Sequence, residues 1–259
     1  MSMRSMCTIV VLRRPGHRWP LLIAANRDEI NTRPWLTPAR HWGDRPEVRA
    51  GLDTLAGGTW LGLNDWGVAA AVLNRINTLG PAPGLRCRGE LPLEALDHAE
   101  AAVAAAALGH LDADAYRPFN MVIGDASAAF WLRAAAAGDG AVPRIEVLPL
   151  PPGLAMITAF DRNDEASPRI RRFQPQFRAA AVPDPDRGDW QAWIELLAAR
   201  SGETDAGPGG AMTVVTAGGF GTVSSSLIAL PAPGDPHRRP IWLFAAGRPG
   251  EAPYRPVAR

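Results

Sequence analysis

Met6-Cys7-Thr8-Ile9-Val10-Val11-Leu12 places a cysteine at the mouth of an apolar run, directly behind a methionine. Cys7 is one of two cysteines in 259 residues, and the residues before Met6 look dispensable. How that thiol is read decides the fold. Taken alone it is a small buried hydrophobe at the start of a strand, a common place for free cysteine. Taken as the first residue of a processed chain, it gains a base. A free α-amine titrates near ~7.7–8.0, against ~10.4 for lysine, and so accepts a proton at neutral pH. Such a cysteine carries nucleophile and general base on one residue and needs no histidine. Cysteine is small enough for ordinary initiator-methionine removal, which makes residues 1–6 a start extension or short propeptide.

The run at 20–26, PLLIAAN, reads as a second strand joined to the first through the polar turn around 13–18. Asn26-Arg27-Asp28-Glu29 follows at its end. A plain reading makes Arg27 and Asp28 an exposed ion pair, worth little. A hairpin partner returns beside the start of the first strand, however, which brings a carboxylate and a guanidinium to Cys7. Residues 59–63 and 67–74 flank Asn64-Asp65-Trp66-Gly67, a hairpin signal. Residues 119–124 and 128–133 form another hairpin, and 211–217, 224–230 and 240–247 read as three more strands.

Helices are fewer. The spacing predicts one over 92–108, with proline near its start and Gly109 as its stop. A second covers 168–179, where Pro175 should shorten or kink it. A third covers 190–200, started by Asp189 and ended by Gly202. Hairpin-linked strands with clustered helices mean α+β with antiparallel sheet. The loops at 140–152 and 206–210 are too short to separate domains, so one domain over 1–259 is expected, with a loop after Gly247.

Composition excludes several chemistries. All 27 basic residues are arginine, so a P-loop lysine, a pyridoxal Schiff base and a lysine base are impossible. Gly57-Gly58-Thr59-Trp60-Leu61-Gly62 imitates the start of a phosphate loop, but Asn64 follows where lysine and a hydroxyl belong. Five histidines lie scattered without metal-ligand spacing, and no Gly-x-Ser-x-Gly occurs. No metal or organic cofactor is expected. A net charge of +1 argues against nucleic acid as partner. The longest apolar stretch, 101–108, is too short to span a bilayer. The start lacks a signal-peptide core, and two cysteines make no disulfide framework, so a cytoplasmic location is expected.

Met6-Cys7-Thr8, Ala25-Asn26-Arg27-Asp28-Glu29, the glycine-rich stretch at 57–62, Arg88-Gly89-Glu90-Leu91, Pro118-Phe119-Asn120 and Gly221-Thr222 with its serines come in a telling order. Together they closely resemble the NRDE family, the transport and Golgi organisation group. That family in turn resembles the N-terminal-nucleophile hydrolases of the choloylglycine hydrolase and penicillin acylase group. The resemblance implies a four-layer αββα sandwich of antiparallel sheets. It implies Cys7 as nucleophile, Asp28 as the carboxylate that orients its amine, and Asn74 as the oxyanion donor. Asn26, Arg27 and Asp161 are the implied substrate contacts. Where the relatives carry arginine before Asn-x-Asp, this chain has Ala25, and where family members often carry arginine within Gly-Thr-x-Ser it has Val223. The expected activity is hydrolysis of a small-molecule amide or thioester. The competing expectation is a carrier of lipid, acyl-CoA or a haem-like ligand on the same fold, its pocket lined by some of the nine tryptophans.

Overall fold

The computed structural model of the chain describes residues 7–135, 143–200, 207, 209–234 and 238–258. Residues 1–6, expected as a start extension, lie outside the described residues, as do His237 and parts of the loops expected at 140–152 and 206–210. In chain order come β1 (Thr8–Arg13), β2 (Leu21–Ile30), β3 (Trp35–Ala39), β4 (Val48–Asp53), β5 (Leu61–Asn64) and β6 (Ala69–Asn74). Next are α1 (Leu91–Leu96), α2 (Ala101–Gly109), β7 (Phe119–Gly124), β8 (Ala129–Ala134), β9 (Ile145–Pro149) and β10 (Gly153–Ile157). The last are α3 (Pro168–Ala179), α4 (Gln191–Leu197), β11 (Phe220–Leu230), β12 (Ile241–Ala245) and β13 (Tyr254–Pro256). The fold is α+β with two antiparallel sheets. The chain divides into two compact units, Met1–Thr32 with Pro152–Val257, and Arg33–Pro151 with the last two residues.

The first unit holds a sheet in the order β10-β1-β2-β11-β12-β13. Side chains alternate across its strands, and one face carries Val10, Leu12, Leu22, Ala24, Leu227 and Ala229 into a core with Phe173, Phe177, Trp193 and Leu197 of α3 and α4. Phe177 meets Trp193 edge-to-face at 5.6 Å. Each such aromatic contributes about 1.5–3 kcal/mol by burial. Ser167 caps α3, its side chain accepting from the Ile170 N–H. Pro175 does not shorten this helix, which runs the full length expected, Pro168–Ala179. Pro175 and Arg171, four residues before it, are both exposed, and the buried stripe of Ile170, Phe173 and Phe177 holds the helix together.

Three expectations for this unit need correction. β2 does not stop at Asn26 but runs through Asn26-Arg27-Asp28-Glu29 to Ile30, because β11 pairs with it over its whole length. Residues 211–217 form no strand beyond a single bridge from Val215 to Gly221. Their polar groups go elsewhere: the Asn26 amide donates to the Met212 carbonyl at 2.9 Å, and the Thr213 N–H donates to the Ala199 carbonyl. The tail after Gly247 is not all loop, since β13 pairs with β12.

The second unit holds a sheet in the order β3-β4-β5-β6-β7-β8-β9. Val48, Ala50, Ala70, Phe119, Met121 and Ile123 share a core with Leu91, Leu96, Ala104 and Leu108 of α1 and α2. The single helix expected over 92–108 is two helices. Asn64, in the β5–β6 turn, donates its amide to the carbonyls of Leu96 and His98 at 2.9 and 2.7 Å. Asp125, in the β7–β8 turn, accepts from the Ala101 N–H at 2.8 Å. Side chains from two hairpins thus satisfy the orphan groups on both sides of the break. Among the described residues no helix is long and apolar enough to cross a membrane.

The glycine-rich stretch serves packing. The Thr59 N–H donates to the Gly89 carbonyl at 2.8 Å, and a Cβ on Gly58 would stand 2.5 Å from the Gly89 backbone. Two motifs distant in sequence are therefore one backbone contact. Gly58→Ala is expected to cost about 1–3 kcal/mol through overpacking. Urea unfolding checks this; an unchanged midpoint rejects the contact.

Candidate active site

Cys7 stands just before β1, half-buried. The β1–β2 register pairs Thr8 with Asn26, so the thiol falls at the Arg27–Asp28 stretch of β2. Its Sγ donates to the Asp28 carbonyl at 3.4 Å and accepts from the Asp28 N–H at 3.3 Å. Burial, and after it the charge of Asp28, push the Cys7 thiol up to about 12. With a peptide bond in front of it, Cys7 is a poor nucleophile at neutral pH.

Asp28 is 1% exposed. Its Oδ1 accepts from the Thr222 hydroxyl at 2.6 Å, and its Oδ2 accepts from Arg169 Nη1 at 3.1 Å. Arg169 is itself fully buried, and the same Nη1 donates to Thr8 Oγ1 at 2.5 Å. Burial raises the Asp28 pKa, opposed by the Arg169 charge and by the hydrogen bonds from Thr222 and Arg169. The exposed Arg27–Asp28 ion pair considered from sequence does not form. Arg27 lies instead 3.7 Å from Glu29, the two side chains 6% and 14% exposed.

A bulge in β11 makes this cluster possible. Asn26 and Asp28 are two apart and share a face, whereas their cross-strand partners Ser225 and Thr222 are three apart. The register shift between Thr222 and Ser224 inserts the extra residue, so both hydroxyls reach the same side. Ser225 Oγ bonds Asn26 Oδ1 at 2.7 Å and accepts from the Tyr254 hydroxyl at 2.7 Å. Gly221 lets the chain come close here: a Cβ on it would stand 2.7 Å from the Val214 carbonyl. The Val214 N–H donates to Thr222 Oγ1 at 2.8 Å.

The structure brings Cys7 and Asp28 together, with Arg27 and Glu29 alongside. Asn26 is on the same strand, but its amide is committed to the carbonyls of Leu197 and Met212 at 3.0 and 2.9 Å. Asp161 is half-buried in the turn after β10, and its carbonyl accepts from the Asp164 N–H. Two residues on, Asn163 adopts φ 59°. Its Oδ1 accepts from the Met156 N–H at 2.8 Å and from Gln174 at 2.5 Å, fixing the loop that leads into α3 and Arg169. Asn74 ends β6 in the other unit, half-buried and paired with Phe119. Arg75 after it donates to buried Asn120 at 2.7 Å.

Sequence reasoning missed Arg169 and gave Thr222 no role. A signal for Arg169 was present. It falls on the stripe of Ile170, Phe173 and Phe177, so helical periodicity alone buries it. It also sits in the first turn of α3, where the helix dipole disfavours a cation that has no anion beside it. Among the described residues no group of three or more His, Cys, Asp or Glu could hold a metal ion.

Residues 6–179 match the family model described as Transport and Golgi organisation 2. The Transport and Golgi organization protein 2 homolog of Bos taurus is 39% identical over 119 residues, covering 42% of this chain and 40% of that protein. The homolog of Mus musculus is 37% identical over 114 residues, covering 41% and 39%. The matched region thus spans about two fifths of these relatives' length. Among solved structures, the Caenorhabditis elegans ortholog of N-acylethanolamine-hydrolyzing acid amidase aligns with TM-score 0.55 at 14% identity, over 89% of this chain and 94% of that one. A cysteine-to-alanine mutant of the conjugated bile acid hydrolase from Clostridium perfringens aligns with TM-score 0.52 at 11% identity, over 98% and 97%. Both are N-terminal-nucleophile hydrolases, and this chain shares their fold.

Proposed function

The chain belongs to the Transport and Golgi organisation 2 family, and from that membership and the shared fold we propose that it hydrolyses a small-molecule amide, or a thioester, with Cys7 as an N-terminal nucleophile. The observation that carries the reading is the bonding of Cys7 Sγ to the backbone of Asp28, whose carboxylate is held in burial by Arg169 and Thr222. The names of the two solved relatives, a hydrolase and an amidase, support the bond class.

Removal of Met6 frees the α-amine of Cys7. The amine takes the thiol proton as sulfur attacks the carbonyl carbon. Asn74 is the oxyanion donor that the family resemblance implies, and each such donor is worth about 2.7–4 kcal/mol. The ammonium returns its proton to the leaving nitrogen as the carbon–nitrogen bond breaks, leaving a thioester on Cys7. Water, activated by the same amine, releases the acid. Asp28 anchors the ammonium. Arg27 and Asp161 contact the substrate, and Asn26 serves it by tying β2 to α4. Both cysteines are free, which fits a reducing, cytoplasmic compartment.

The test is acylation by a reactive ester or lactam, read by intact mass and peptide mapping. One acyl group on Cys7, released with time, is the expected result, and Cys87→Ala should react as the parent does. Exposed Cys87 caps a turn, its sulfur accepting from the Gly89 N–H, and takes no part. Ligand retention without any adduct on Cys7 favours a lipid, acyl-CoA or haem carrier and overturns the hydrolase.

A further inference from the structure

We propose that Arg169 is a positioning residue of this site, acting on Cys7 through Asp28 and Thr8. One guanidinium nitrogen grips the residue that follows the nucleophile and the carboxylate of the residue whose backbone bonds the thiol. The proposal rests on the reading of Cys7 as nucleophile, and its test is separable from that reading.

The geometry carries it. Arg169 Nη1 donates to Thr8 Oγ1 and to Asp28 Oδ2, at 2.5 and 3.1 Å, and so links β1 to β2 at the end where Cys7 lies. Both bonds are fully buried. A cation taken out of water is retained only against a compensating anion and acceptors, and both acceptors here flank the thiol. The other oxygen of Asp28 is held by Thr222, so the carboxylate cannot rotate. Its remaining lone pairs are left for a third donor, which in a chain starting at Cys7 is the α-ammonium. Arg169 itself is delivered by a fixed support: the Ser167 cap places it in the first turn of α3, and Asn163 pins the loop before it. Arg169 brings a guanidinium to β2 from a helix.

Among the described residues, the charged groups that act on the site are Arg169 from α3 and Asp28, Arg27 and Glu29 from β2, facing the neutral thiol before β1. Burial already raises Asp28, and the Arg169 charge opposes that rise. Without it Asp28 stays neutral to a higher pH, so a defect caused by losing Arg169 is greatest at low pH and recovers as pH rises. A defect caused by losing the Asp28 carboxylate itself does not recover.

Selective ¹³C-cysteine labelling gives only two signals, from Cys7 and Cys87, and Cys7 reports on Asp28 through their direct hydrogen bonds. In Arg169→Gln the Asp28 step in the Cys7 titration is expected to move up by about 1–3 pH units, the range for loss of an opposite charge at contact. Arg169→Lys should move it less. Thr8→Val keeps the volume and removes one acceptor of the guanidinium, so it gives a smaller shift in the same direction and serves if Arg169→Gln does not fold. Absence of any shift in the folded variants overturns the proposal, whether or not the protein turns over a substrate. Failure of wild-type acylation, read in a parallel assay, speaks to the hydrolase reading instead.

Discussion

A chain that begins at Cys7 is expected to acylate about 10²–10⁴-fold faster than one that retains Met6, the contribution of a positioned general base. With a peptide bond before Cys7, burial and Asp28 hold the thiol at about 12. Almost none of the thiol is then ionised at pH 7. Freeing the amine supplies an acceptor for the thiol proton on the same residue, with an ordinary pKa near ~7.7–8.0. The rate should therefore rise with pH as the ammonium loses its proton. The Met6-retaining chain should show no such limb. The comparison needs two preparations, one with a cleavable tag ending directly at Cys7 and one with a blocked Met6. Equal acylation rates in the two would exclude the α-amine as base, whatever else Cys7 does.

The sequence-based readings that survived are those set by short-range chemistry. Asn64-Asp65-Trp66-Gly67 does turn β5 into β6, and the run before Arg13 does pair with the run after Pro20. The failures share a cause. Four polar residues in a row read as a strand end, because charge inside a sheet normally ends it. β2 continues through them because Arg169 compensates Asp28 from 141 positions away, and because a bulge in β11 aligns two hydroxyls with Asn26 and Asp28. The break between α1 and α2 was hidden for the same reason, since its caps come from Asn64 and Asp125 in separate hairpins. Cys7 and Asp28 were legible as motif residues. Arg169 was overlooked, because an arginine followed by Arg171 and Arg172 looks like one of a solvent-facing set until the stripe it shares with Ile170, Phe173 and Phe177 is counted.

That buried partner changes what Asp28→Asn should do. As a surface ion pair the substitution would shift stability by under about 1 kcal/mol. With both side chains fully buried, it strands the Arg169 cation, and a loss of about 3–5 kcal/mol is expected. Adding Arg169→Met removes the stranded charge, and buried ion pairs replaced by apolar groups are often neutral in stability. The double variant should therefore unfold near the parent in urea, with Thr222 still donating to the side-chain amide oxygen that replaces the carboxylate. Its acylation should not recover, because nothing remains to anchor the ammonium of Cys7. A deficit of about 10²–10⁴-fold should persist at every pH in the folded double variant. Stability and acylation returning together would make Asp28 and Arg169 a structural pair alone. Stability returning while acylation stays lost separates the part of the pair that holds the sheet together from the part that serves the thiol.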